Sequence, residues 1–398
     1  MSKRKYSLLI FFVLPGLGVV QAQWNSITCP TKSNLNAISF IDTNSGWIVG
    51  DRGTILYLNG GEWEEYQKLT TEDLNSVFMI DKDDGWAVGD NGTIVHFSNK
   101  KWELFDSPTR NDLHSVSFKD TENGIATGDL GTMLIFKNGC WNQLEREVRG
   151  SLFSAFYEKD EVWIGGGLEC VNLPIIKMKI NKKEETFINQ FYPFASIKSI
   201  MFLNPANGWA VGSPSTILHF DGQQWGKDNS IDDYSSLNSV FFSDENNGIS
   251  VGYGGTVLIY TDSFWIKEKQ TTTKNLNGST IINNKYFAVG DSGTIIQRNL
   301  NSKNTVEDIH YNNPLEIQVF PNPCDDYLNI VIPCENDDMT ITISVNNISG
   351  EIIMHKELKL GKSGLIYPIF TGDLKNGLYI IKADIKNKII SNKFIIRH

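Results

Sequence analysis

Leu74-Asn75-Ser76-Val77-Phe78, Gly85-Trp86-Ala87-Val88-Gly89-Asp90, Gly92-Thr93-Ile94 and Trp102 form one phrase, which the chain rewrites seven times. Each copy holds four short apolar runs within a period of about forty residues, the pattern of a β-propeller with one four-stranded blade per repeat. The first strand of each copy starts at Leu35, Leu74, Leu113, Leu152, Ile197, Leu237 or Leu276. The second carries Gly46-Trp47, Gly85-Trp86, Gly124-Ile125, Trp163, Gly208-Trp209, Gly248-Ile249 or Phe287. A turn such as Gly50-Asp51-Arg52-Gly53 follows, where Gly is expected to supply positive φ and Asp to bond its own backbone. Trp63, Trp102, Trp141, Trp225 or Trp265 opens the outer strand.

The seventh copy lacks that Trp, but Trp24 precedes Leu35 by the same eleven residues that separate Trp63 from Leu74. Trp24 to Thr28 is therefore expected to supply the outer strand of the last blade and close the ring. The spacing of the ten tryptophans speaks for packing between blades rather than for an aromatic platform.

The ends of the chain differ from its middle. Lys3, Arg4 and Lys5, an apolar Leu8 to Val20 and Val20-Gln21-Ala22 read as a secretory signal over 1–22. The apolar run is too short for a membrane span, and no other stretch reads as one. The propeller occupies 23–300 and a polar linker 301–314. Residues 315–398 then alternate apolar and polar in six short runs: Leu315 to Phe320, Tyr327 to Ile332, Ile341 to Val345, Glu351 to Met354, Gly377 to Lys382 and Ser391 to Ile396. Period-two alternation broken by turns predicts a small Ig-like antiparallel β-sandwich. The fold class is all-β: a seven-bladed β-propeller followed by that sandwich.

A net charge of −10 without long runs argues against nucleic acid as a partner. Of five cysteines, Cys324 and Cys334 lie close enough in sequence to pair in an oxidising compartment. Cys29, Cys140 and Cys170 are scattered, and no C-x-x-C indicates zinc. His96 and His219 hold equivalent third-strand positions in blades nearly opposite one another, so they cannot share an ion. Asp81, Asp83 and Asp84 lack the closing Glu of a calcium loop. No metal or cofactor is expected. Asp51, Asp90, Asp129 and Asp291 recur at one turn as a ring rather than as the matched pair a glycosidase needs, and no nucleophile elbow or HExxH occurs.

Two sets of residues are left as candidates for contact. Asn36, Asn75, His114, Lys198, Asn238 and Asn277 open the innermost strands, at the mouth of the central channel. They can meet a glycan or a protein, or they can cap strands. In the fourth repeat the turn expands around Leu168, Glu169 and Asn172, and insertions on one propeller face are common places for function. The reading is a binding or interaction module; the alternative is a carbohydrate-active hydrolase on the same scaffold.

Two resemblances add to this. Gly-Trp-Ala-Val-Gly-Asp-x-Gly-Thr-Ile resembles the repeat of photosystem II stability/assembly factor propellers and of BNR-like secreted propellers, over about Trp24 to Arg298. Three C-terminal motifs resemble the type A C-terminal sorting domain of type IX secretion cargo. They are Phe320-Pro321-Asn322-Pro323 with Leu328, Ser349-Gly350-Glu351, and Asn376-Gly377-Leu378-Tyr379 with Lys393-Phe394. The second resemblance implies recognition by the type IX secretion machinery and transfer across the outer membrane of a Gram-negative bacterium. It also implies removal of the domain, with the passenger attached to the outer surface or released.

Overall fold

A computed structural model describes residues 24–145, 148, 150–159, 161–167, 175–179, 185–188, 196–228, 235–261, 264–299, 317–320, 324, 327–332, 339–360, 365–385 and 388–397. The signal segment, the linker, the expanded turn with Leu168, Glu169 and Asn172, and Pro321, Asn322, Pro323 and Cys334 lie outside these residues.

Seven four-stranded antiparallel sheets follow one another as blades. Their inner strands are Leu35–Asp42, Leu74–Met79, Leu113–Asp120, Ser151–Glu158, Ser196–Asn204, Leu237–Asp244 and Leu276–Ile282 in blades 1 to 7. Blade 7 takes its outer strand from Asn25–Ser26, where Asn25 pairs with Gln297 and Ser26 with Ile296. Ile27 N–H donates to Ile295 O at 2.9 Å beyond it. Trp24 is buried beside Tyr286, with ring centroids 6.3 Å apart. Arg298 of the same blade pairs with Glu268 of blade 6 at 2.6 Å. This seam removes the open edge that a linear row of sheets would present.

The tryptophans pack between blades. In four neighbouring pairs the second-strand Trp of one blade meets the outer-strand Trp of the next edge-on: Trp47 with Trp102, Trp86 with Trp141, Trp163 with Trp225, and Trp209 with Trp265. Their centroids lie 5.4, 5.6, 5.8 and 5.6 Å apart, the geometry in which one ring's positive edge faces another's negative face. His96 and His219 complete this packing. They stack on Trp86 at 3.9 Å and on Trp209 at 4.3 Å, held by Asp84 and Asn207 respectively.

The turn chemistry differs from expectation at the glycines. The first glycine of Gly-Asp-x-Gly is extended, with φ −168° at Gly50 and −165° at Gly89. Its need is space: a Cβ on Gly89 would lie 1.9 Å from the Asp73 carbonyl oxygen. Positive φ falls on the third and fourth residues, such as Arg52 at 55° and Gly53 at 66°.

The C-terminal residues form two sheets. One orders Gln318–Phe320, Tyr327–Ile332 and Leu365–Phe370; the other orders Ile352–Leu360, Met339–Asn347, Gly377–Ile385 and Lys388–Ile396. Leu328, Ile330, Ile341, Ile343, Val345, Ile381, Phe394 and Ile396 fill the space between them. Leu365–Phe370 was absent from the runs read in the sequence. Pro368 interrupts it, and Pro is tolerated because the strand lies at a sheet edge.

Candidate binding face

The inner strand of each blade has one side without a sheet partner, so its backbone groups need other bonds. The repeated Leu-Asn-Ser supplies them. Asn36 Nδ2 donates to Leu74 O at 3.0 Å, Asn75 to Leu113 O at 3.0 Å, Asn238 to Leu276 O at 3.0 Å and Asn277 to Leu35 O at 3.1 Å. Each asparagine thus caps the first carbonyl of the following blade, and Asn277 carries the belt across the seam. In blades 2 to 6 the residue one further on is a serine that adds a second stitch. Ser76, Ser115, Ser154, Ser199 and Ser239 Oγ accept from the N–H of Val116, Ala155, Ile200, Val240 and Ser279, at 3.0 to 3.2 Å.

The aspartates of the turns hold the asparagines in place. Asp51 Oδ1 accepts from Asn36 at 3.0 Å, Asp90 Oδ1 from Asn75 at 2.8 Å and Asp291 Oδ1 from Asn277 at 3.1 Å. The carboxylate serves a neighbouring side chain instead of its own backbone. Burial raises the Asp90 carboxyl above the usual range; the Asn75 bond opposes this, while the charges of Asp112 and Asp73 add to it.

Four of the six sequence candidates therefore belong to this belt. The other two, His114 and Lys198, stand where it breaks. Blade 4 carries Phe153 at the equivalent position, between them in the ring. The three replacements are consecutive, and among the described residues none of them caps the carbonyls of Leu152, Ile197 and Leu237. The turn aspartate is also lost in blades 4, 5 and 6, where Gly167, Ser213 and Tyr253 follow the turn glycine. One arc of the mouth is thus rich in carboxylates (Asp51, Asp73, Asp90, Asp112, Asp129 and Asp291), and the opposite arc carries none at these positions.

At the boundary, His114 Nε2 lies 2.7 Å from Asp129 Oδ1, which also accepts from Ser151 Oγ at 2.6 Å. Burial works to raise the Asp129 carboxyl, but the Ser151 and His114 bonds and the charge of Lys198 outweigh it and hold it low. Lys198 Nζ sits 3.2 Å above the centre of the Phe153 ring. Burial holds this ammonium below its ordinary value, with Asp129 opposing. Leu130, next to Asp129, is 76% exposed at φ 55°, a left-handed conformation that L side chains avoid.

Phe153, Leu130 and the serine belt escaped the sequence reading. The serine was legible, since it adjoins the asparagine in the phrase. Phe153 was legible by register alone, because it follows Leu152 as Asn75 follows Leu74.

The sorting-motif residues in view are mostly structural. Leu328 is fully buried, and Tyr379 packs on Phe394 at 5.6 Å and donates to Lys375 O at 2.9 Å. Gly377 pairs with Ile396, and exposed Lys393 with Ile380.

Comparison with known proteins agrees with both halves. Residues 318–397 match the family described as secretion system C-terminal sorting domain, and residues 18–100 match photosynthesis system II assembly factor YCF48. The chain is thus similar to both families, one in each half. Among solved structures, YCF48 bound to D1 peptide is 17% identical with a TM-score of 0.58, covering 70% of this chain and 97% of that one. YCF48 from Cyanidioschyzon merolae is 18% identical with a TM-score of 0.57, covering 70% and 99%. The WD40 repeats of RRP9 reach a TM-score of 0.59 at only 8% identity, covering 70% and 99%. At such identities the likeness is one of fold. No curated protein matches the chain. A propeller followed by this tail is the make-up of a secreted β-propeller cargo, and the tail implies the type IX secretion machinery as a partner. No helix among the described residues is long and apolar enough to cross a membrane, and no group of three or more metal-ligating side chains occurs among them.

Proposed function

We propose that this protein is exported through the type IX machinery, with residues 1–22 as its first signal and 315–398 as its second. It then acts outside the outer membrane, released or held at the surface, as a binding module for a protein or glycan. The binding face is the channel mouth at blades 3 to 5. One observation carries this: the three positions where the asparagine belt is interrupted, His114, Phe153 and Lys198, are adjacent in the ring. Drift spread evenly over seven blades would scatter such losses. Here they gather beside the loss of three turn aspartates, on side chains that leave the following blade's carbonyl uncapped.

The test is a protein and glycan array probed with the secreted chain and with the double variant His114→Ala, Phe153→Ala. A ligand whose binding falls at least tenfold in the variant, with an unchanged melting temperature, supports the face. Binding that persists unchanged removes it.

A further inference from the structure

Building on that binding face, we propose that Lys198 receives a single carboxylate from a polypeptide partner, while Leu130 and the rim of Phe153 take an apolar side chain next to it. Three observations lead there.

The first concerns the immediate surroundings of Lys198. In blades 1, 2 and 7 the residue at this position faces the turn aspartate of its own blade; in blade 5 that place is Ser213. Among the described residues no carboxylate forms an ion pair with Lys198, and its close contact is an aromatic face. Asp129, whose charge acts on Lys198, is already engaged by His114 and Ser151. A half-buried ammonium over a ring is held in position without having its charge neutralised, so an incoming carboxylate meets an ordered partner.

The second observation limits the charge of the ligand. On the adjoining arc the charges of Asp112 and Asp73 add to the burial that raises the Asp90 carboxyl. A polyanion laid across the mouth would meet that field. A ligand with one carboxylate can present it to Lys198 and avoid the rest.

The third observation selects a peptide over a sugar. Leu130 projects an apolar side chain into solvent from a backbone conformation that favours Gly or Asn. The equivalent turn positions hold Arg52, Asn91, Gly254 and Ser292. Single exposed leucines are ordinary, but this one adjoins Asp129, at the edge of the interrupted belt. An apolar contact beside a cation suits an acidic residue or chain end with a hydrophobic neighbour.

The experiment uses the full secreted chain and an immobilised peptide library. Each sequence is displayed in three forms: free acid, C-terminally amidated, and with Asp and Glu replaced by Asn and Gln. Neutral and uronate-containing oligosaccharides are displayed alongside. The expected binders carry an acid next to Leu, Ile, Val or Phe and weaken at least tenfold when that acid is neutralised. Whether amidation or side-chain replacement does this identifies the carboxylate's source. In Lys198→Met the acid and neutral forms should bind alike, Lys198→Arg should restore the difference, and Leu130→Ser should weaken binding severalfold. Thermal melts of each variant separate loss of contact from loss of fold. A carboxylate preference that survives Lys198→Met, binding without any such preference, no bound peptide, or binding confined to uronate sugars would overturn the proposal. Peptide binding that ignores the carboxylate yet fails in His114→Ala, Phe153→Ala would leave the binding face standing; binding indifferent to every one of these variants would remove both.

Discussion

Blades 7, 1 and 2 and blades 3, 4 and 5 share a backbone plan and differ in the side chain that opens the inner strand. In the first arc the residue after the leading Leu is Asn, and it spends its amide on the next blade's carbonyl and its own blade's aspartate. In the second it is His, Phe or Lys, and no such stitch forms. The serine one residue on bonds the next blade from blade 2 through blades 3, 4 and 5, while blades 7 and 1 carry Gly278 and Ala37 there. A repeat protein can therefore fasten one part of its ring through the asparagine and another through the serine and keep its shape. The positions so released are where recognition can evolve.

This contrast can be broken in several ways. The largest effect is expected at the seam, on which both arcs depend. Trp24→Ala should cost about 3–5 kcal/mol, since a nearly fully buried Trp is removed from the blade joining the two ends. A thermal midpoint equal to that of the unaltered chain would contradict its placement. Next comes the turn. Gly89→Ala forces a Cβ to within 1.9 Å of the Asp73 carbonyl oxygen and should cost about 2–3 kcal/mol. Gly139→Ala, at φ 76° with nothing within 4 Å, should cost about 1 kcal/mol from backbone strain alone. Equal losses in urea titrations would show that close approach does not govern the turn.

Alkali tests the seam differently. Burial pushes the Tyr286 phenol up to about 12 from 10.0, Arg298 opposing and Glu268 and Asp244 adding to it. A phenol raised on folding ionises first in the unfolded chain. Its contribution is constant below pH 10, and stability falls as pH climbs from 10 toward 12. The loss amounts to about 2–3 kcal/mol. Relative to the unaltered chain, Tyr286→Phe should abolish that part of the decline; identical pH profiles would refute it. The last comparison sets a belt residue against a released one. Asn75→Ala should cost about 1–2 kcal/mol by leaving the Leu113 carbonyl and Asp90 without its amide. Lys198→Met should change stability by no more than about 0.5–1 kcal/mol. Equal losses would erase the distinction between the arcs.

Much of the architecture was legible in the sequence because repetition multiplies a weak signal. Seven degenerate copies of one phrase, each keeping most of its Leu, Gly-Trp, Gly-Asp-x-Gly and Trp, set blade number and strand order. The eleven-residue offset of Trp24 pointed to the pairing that Asn25 and Ser26 make with Ser26's partner Ile296 and with Gln297. The site was less legible. The ring of Asn36, Asn75, His114, Lys198, Asn238 and Asn277 could be placed at the mouth, but sequence spacing does not say which member bonds to a neighbouring backbone. That depends on the approach of one inner strand to the next, a distance between residues about forty apart. Phe153 escaped notice because an apolar residue at a polar position reads as core. Leu365–Phe370 escaped because Pro368 argues against a strand unless its edge position is known. The role of Leu168, Glu169 and Asn172 stays a proposal drawn from the insertion alone.

Calorimetric melting of two triple variants tests the central contrast most directly. One variant removes the belt with Asn36→Ala, Asn75→Ala and Asn277→Ala; the other writes the belt into the interrupted arc with His114→Asn, Phe153→Asn and Lys198→Asn. The belt variant should melt about 5–10 °C lower, as separate losses of about 1–2 kcal/mol add, while the arc variant should melt no lower than the unaltered chain. An arc variant that falls as far as the belt variant would contradict the division of the ring into a stitched part and a released one.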